Sequence, residues 1–359
     1  MKKIITLLSA VLFSATTFAQ AYGAPESIEF DYAHNRWLIS NPTYSNILSR
    51  DSQTGVVTVF ATGANGPQGL EIVNDTLYSC EGGSIHLYNI NTGASIATLA
   101  FAGATFLNGI THDINGTLYI TDFSQKKIHR MNTATRQHNV FVTGLVKSPD
   151  GIIYDQPNNR CVFVNWGANA PIMSVNLSDS TTATVLATTL GNCDGITKDG
   201  AGNYFISSWT GSKVTRYSNT FTNPTIVITG LNQPADIFYN VLTDTLGVPN
   251  SGSNLNNTQY YYFGTTIGVN EIANSNFNLT VSPNPAEERT EINYELMTDG
   301  KLSIQLFNIE GQLVKTIVDE NQTKGKHTVL LDKTGIASGN YLLKLNSNNS
   351  IETKKVIIK

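Results

Sequence analysis

The chain has 359 residues, room for two domains, and is 40% hydrophobic and 14% charged. A formal net charge of -4 excludes the basic field that phosphate-backbone binding requires, so nucleic acid is not expected as a partner. The three cysteines, Cys80, Cys161 and Cys193, include no Cys-x-x-Cys pair, which argues against a thiolate zinc site. Their odd number leaves at least one thiol free in any compartment.

The N-terminus reads "MKKIITLLSAVLFSATTFAQA". Two lysines precede an apolar run that ends in small residues. This predicts a secretory signal peptide over residues 1–19, cut after Ala19 or Ala21. The run is short for a membrane span and is broken by Ser and Thr, and no later stretch predicts one.

Six similar units follow, each with an aliphatic anchor near its start: Ile28, Leu70, Ile110, Ile152, Ile196 and Ile237. Successive anchors are 42, 40, 42, 44 and 41 residues apart. Most units continue with a second apolar run ("RWLISN", "TLYSCE", "TLYITD", "RCVFVN", "NYFISS") and then shorter ones such as "KIHRMNT" and "PTIVITG". A period of about 40–45 residues with several short strands per unit is the mark of a β-propeller, here six-bladed, over residues 24–264. The sixth unit is the least regular. Its outermost strand is expected from residues 20–24 or 265–272.

Strand direction alternates within a blade, so the start of each first strand and the end of each second strand should meet on one face. Two positions before the anchors stand Glu26, Gln68, Asn108, Asp150, Asp194 and Ala235. A ring holding three carboxylates calls for a neutralising cation, and hard oxygen ligands suit Ca²⁺ or Mg²⁺. The same residues would equally serve to solvate the mouth and cap turns. The second strands end at Asn41, Glu81, Asp122, Asn165, Ser208 and Asn250, and Phe123, Trp166 and Trp209 follow three of them. These aromatics would form a wall over the ring for a flat or sugar-like ligand, or else pack between blades. The sequence contains no Gly-x-Ser-x-Gly, Gly-x-Gly-x-x-Gly or His-Glu-x-x-His motif, so triad, dinucleotide and zincin chemistry are not expected. The six histidines show no ligand spacing, and His112, inside a first strand, reads as structural.

These residues resemble the SMP-30/gluconolactonase/LRE-like six-bladed propellers, over roughly residues 24–264. The resemblance implies one divalent cation, often Ca²⁺, at the channel mouth. Glu26 in "PES" matches the family's metal-binding Glu. Asp194 in "CDGITKDG" matches its metal-binding Asp, which also serves as general base. Asp150 in "SPDGIIYD" stands where the family has a metal-binding Asn, and would be a ligand or a second base. Asn108 in "LNGITHD" stands where the family has a substrate-contacting Asp. With Gln68, Phe123, Trp166 and Trp209 it makes up the implied substrate-binding set. The chain departs from the family at Asp150, at Leu107, where a polar contact is common, and in having no arginine at the sugar-acid clamp of the third blade. NHL-type propellers share similar repeats and often only bind partners. Two functions are therefore expected: a Ca²⁺-dependent lactonase- or esterase-like hydrolase, or a non-catalytic surface propeller that recognises a protein, a glycan or a small molecule.

A polar stretch over residues 265–277 reads as a linker. Alternating runs such as "KLSIQLFN", "HTVLL" and "NYLLKLN" then predict about seven strands and a small Ig-like β-sandwich over residues 278–359. This tail resembles the type A C-terminal sorting domain of the type IX secretion system, through "VSPNPA", "LFNIEGQLV", "GIASGNYLLKL" and the final "KKVIIK". The resemblance implies the type IX machinery as a partner and passage through both membranes. Removal of the tail would follow, then release or attachment at the outer-membrane surface.

Overall fold

The computed structural model describes residues 21–253, 256–264, 277–286, 289–308, 312–347 and 350–359. The expected signal peptide and most of the expected linker lie outside these residues. The described chain is all-β apart from two three-residue 3-10 turns.

Residues 28–262 form six consecutive antiparallel sheets. Five have four strands in sequence order and the sixth has three. In each, the first strand lies innermost and the last lies at the rim. The six anchors are all buried and together line the central channel as an apolar collar. Between sheets, Leu77, Leu118, Ile120, Val162, Ile206 and Val248 are fully buried. No blade could bury both faces alone, so stability comes from stacking each sheet on the next.

The inner strands share one irregularity that places the site. In the second to fifth blades the register slips by one residue just before the anchor, as between Cys193↔Ser208 and Ile196↔Ile206 and at the matching places in the other three. Two residues, Asp194 and Gly195 in the fifth blade, therefore oppose one. Such a bulge turns a side chain out of the sheet plane. The second residue of each bulge is glycine for a steric reason. A Cβ on Gly69, Gly109, Gly151 or Gly195 would stand 2.1, 2.4, 2.4 or 2.5 Å from the backbone of the next blade. Two of the bulges are tied by a bridging hydroxyl. Ser207 Oγ accepts from Gly195 N at 2.7 Å and donates to Ala235 O of the next blade at 2.8 Å. Thr121 Oγ1 does the same between Gly109 N and Asp150 O, at 2.8 Å each. Gly151→Ala would force these blades apart, and a loss of about 1–3 kcal/mol is expected, visible as a lowered Tm in a thermal melt.

The sixth sheet shows three strands among the described residues. Residues 21–24 add no strand to the sixth sheet, and residues 20 and 265–272 lie outside the described part. The hydrogen bonds that join the sixth and first blades include Asp236 N to Glu26 O at 2.8 Å, Ser251 Oγ to Pro25 O at 2.6 Å, Ser27 Oγ to Asp236 Oδ2 at 2.8 Å and Val241 N to Tyr32 Oη at 3.3 Å. At this seam Ser27 and Asp236 occupy the place that the other four inner strands give to glycine. The two side chains bond to each other where elsewhere backbone meets backbone.

The tail is a sandwich of a three-stranded and a four-stranded sheet around Ile292, Leu302, Ile304, Leu306, Leu343, Leu345 and Val356. All three cysteines are free and buried. Burial raises each thiol, Cys193 to about 12, so none carries the thiolate needed for reactivity.

Candidate functional site

The end of the channel where the inner strands begin is termed here the near mouth. The bulges deliver Asp150 and Asp194 to it, 2% and 4% exposed. Glu26 comes from the chain just ahead of the first inner strand. Burial raises the pKa of all three carboxyls well above the ordinary range. After burial, Asp194 is the largest influence on both Glu26 and Asp150, and Asp236 is the largest on Asp194. The acids thus repel one another across the mouth, as a ring of this kind must.

Asp236 is a fourth acid that the repeat register conceals. Two positions before the sixth anchor stands Ala235, and the acid follows one place later, in the position of the glycine. Burial raises its carboxyl to about 7, and the bond from Ser27 lowers it in part. The signal in the sequence was that "QPADIFYN" alone carries an acid directly before its anchor.

Two of these carboxyls hold an oxygen that is buried and has no hydrogen-bond partner, Glu26 Oε2 and Asp194 Oδ1; so does the indole Nε1 of Trp209. Trp209 favours the charged form of Asp194 but stands outside hydrogen-bond geometry, so both atoms remain unsatisfied. Buried polar atoms without partners are costly and rare. Asp150 is better provided for: its Oδ1 accepts from Asn108 Nδ2 at 2.6 Å. As the side chains stand, no three His, Cys, Asp or Glu among the described residues lie close enough to hold a metal ion. The donors are all carboxylate oxygens, the type a divalent cation takes, with Glu26 and Asp194 each holding an unpartnered one, while the three acids do not converge on one centre.

The remaining expected residues divide. Phe123, Trp166 and Trp209 form one continuous edge, with ring centroids 6.0 and 4.9 Å apart and steep interplanar angles; all three are half-buried. Gln68 turns back on its own loop, donating from Nε2 to Gly66 O at 3.1 Å. The residues that end the second strands are engaged by nearby loops. Asn41 accepts from Gly23 N, Glu81 from Asn65 N and Tyr88 Oη, Asp122 from Gln125 N and Asn250 from Asn232 N; Asn165 donates to Pro171 O and Ser208 to Gly191 O. Four of them bond to the segment leading into the first strand of their own blade, and Asp122 and Asn165 to the loop that follows the second strand, so they satisfy local backbone where a buried strand end needs partners most.

At the other end of the channel, the far mouth, lies a cavity of about 740 Å³. Asp236 lines it, but Glu26, Asp150 and Asp194 do not. Its walls include Glu29, Glu71 and His112. His112 Nδ1 pairs with Glu71 Oε1 at 2.5 Å.

Fold and site together define an all-β chain: a six-bladed propeller with buried acids at one channel mouth, followed by a β-sandwich. Residues 280–359 match the family described as "Secretion system C-terminal sorting domain". The tail is therefore a sorting domain of the type IX kind, which supports export and a surface-bound or released product. No helix among the described residues is long and apolar enough to cross a membrane. No curated protein matches the chain. The propeller is similar in structure to a gluconolactonase from Xanthomonas campestris, at 15% identity and a TM-score of 0.56, covering 65% of this chain and 84% of that one. It is also similar to a calcium-binding protein, regucalcin, from Agrobacterium tumefaciens, at 17% identity and a TM-score of 0.53, covering 65% and 83%. A streptogramin B lyase gives 17% identity and a TM-score of 0.53, covering 69% and 86%. At such identities the likeness is one of fold, and the fold carries several activities.

Proposed function

We propose that the near mouth binds a divalent cation, Ca²⁺ by the chemistry of its ligands, through Glu26, Asp150 and Asp194, and that it hydrolyses a lactone or ester held against the aromatic edge. The observation that carries this reading is the pair of buried, unpartnered carboxylate oxygens, Glu26 Oε2 and Asp194 Oδ1, among three mutually repelling acids. The gluconolactonase and the calcium-binding protein of like fold lend it support.

When bound, such a cation supplies an electrophile for a carbonyl oxygen. The chain's own residues would do the rest. Asp194 Oδ1, free of any other partner, would take the proton of an attacking water, with Asp150 as the second carboxyl in reach. Asn108 fixes the Asp150 carboxyl through its 2.6 Å bond. Phe123, Trp166 and Trp209 would orient the substrate and exclude water on one side, and Trp209 Nε1 offers a donor to a substrate oxygen.

A second reading has its own observation. Because the acids do not converge and Asp150 is already engaged by Asn108, the mouth also suits a recognition surface without catalysis. A panel of aliphatic and sugar lactones and aryl esters, assayed on the full chain with 1 mM-range CaCl₂ (about the weak end of calcium affinities) and with EDTA, separates the two. Calcium-dependent turnover that falls at least about 100-fold in Asp194→Asn is the expected result. Saturable calcium binding without turnover of any ester would leave the recognition reading.

A further inference from the structure

The sandwich strands Gly300–Asn308 and Gly339–Ser347 pair along their length, with Gln305↔Lys344 and Phe307↔Leu342 in register. Alternation assigns Leu302, Ile304, Leu306, Leu343 and Leu345 to the sandwich core, and all are buried there. Phe307 and Lys344 have the opposite parity and should face water. Instead they are 1% and 5% exposed. Phe307 packs into a propeller cluster with Phe205, Tyr239, Val241 and Leu246. Lys344 Nζ donates to Val241 O and pairs with Asp244 Oδ1 at 3.2 Å. A lysine is almost never so buried without a partner, and this one finds both of its partners on the propeller. Beside them, Gln312 Nε2 lies 3.3 Å from His112 Nε2.

The geometry points to a dedicated docking face on the sorting domain, centred on Phe307 and Lys344, that seats on the far side of its own propeller and roofs the far mouth until the tail is removed. The occupant is the tail of the same chain. Charge complementarity identifies it, since Lys344 meets Asp244 and a backbone carbonyl, and so does continuity with the cavity. Gln305, Phe307, Gln312 and Leu313 form part of the cavity wall beside the propeller's Tyr239 and His112. Loss of the tail would expose the cavity and an apolar patch around Tyr239 and Phe205. The propeller would then have two usable mouths in its mature form and one in its precursor.

The test uses the full chain with a site-specific protease sequence placed between residues 268 and 273. After cutting, the wild-type tail is expected to co-elute with the propeller in size-exclusion chromatography. Phe307→Asp and Lys344→Ala are expected to weaken that association at least tenfold, and Lys344→Arg to preserve most of it. Circular dichroism of the released Phe307→Asp tail checks that the sandwich stays folded, as it should because Phe307 points away from the sandwich core. A wild-type tail that elutes free after cutting would overturn the docking face. An uncut chain that elutes as a dimer would overturn the assignment to the same chain. The roof is read separately by maleimide labelling of Thr111→Cys, a cavity position, against a background of three buried native thiols. Labelling at least tenfold faster after release of the Phe307→Asp tail is expected, and equal rates would overturn it.

Discussion

Asp194→Ala is expected to abolish saturable calcium binding by the full chain while leaving the propeller folded. In calorimetric titration the wild type should bind one equivalent, with a dissociation constant on the order of 10⁻⁴ M, in the range of extracellular calcium modules. The reasoning starts from cost. Three buried acids stand at one mouth and Asp236 adds to their repulsion, two of their oxygens lack any partner, and a divalent ion would relieve both penalties at once. Asp194 contributes one of those oxygens and acts on both Glu26 and Asp150, so its removal takes away a ligand and the strongest coupling together. Removing a buried, poorly satisfied carboxyl should not destabilise the apo protein, because the lost group was itself a penalty. The melting temperature without calcium should therefore stay level or rise. A wild type that shows no heat of binding at millimolar calcium would sink the metal reading. A mutant that loses binding because it has unfolded would be revealed by its melt.

Much of the fold was legible because a propeller repeats its burial pattern. The anchors recur since each inner strand needs an aliphatic residue in the collar, and glycine precedes four of them since no Cβ fits between adjacent blades. Asp150 and Asp194 were legible for the same reason: the bulge sets them in a fixed register. Asp236 was not, because the sixth blade closes against Ser27 rather than against another glycine, and the acid moves by one place. The roles of the second-strand ends were not legible, because Asn, Asp and Glu are equally suited to a mouth and to capping a loop, and only the position of the loop backbone decides between them. The seat of the tail was hidden in a different way. Phe307 and Lys344 break the alternation of otherwise regular strands, but nothing in the sequence says which surface pays for the break.

The stability of the calcium-free protein is expected to fall as pH rises from about 4 to 8, and calcium should restore it. Asp236 carries the clearest share. Its carboxyl ionises near 3.8 in an ordinary setting and at about 7 in the fold, so the folded state holds a proton that the unfolded chain has already lost. The stability linked to that proton is complete below 3.8 and is lost progressively up to about 7. Glu26, Asp150 and Asp194 are raised in the same sense and add to the loss. Two partly buried groups act the other way. Asp155, raised by burial but lowered on balance by Lys198 and Arg160, loses its contribution only below the ordinary aspartate range, outside this window. Burial lowers the imidazole of His129, although Asp122 opposes the shift; its contribution is present above 6.5 and is lost as pH falls. Comparing Asp236→Asn with wild type cancels both. The asparagine keeps an acceptor for Ser27 Oγ and removes the titration, so its melting temperature should match wild type near pH 4 and exceed it at pH 8 in EDTA. Calcium acts on both proteins: a cation competes with protons for the oxygens of Glu26, Asp150 and Asp194, so affinity should rise with pH and the melting temperature at pH 8 should climb on adding calcium. Parallel pH profiles for the two proteins in EDTA would show that Asp236 is ionised throughout, and that the ring does not store a proton at its seam.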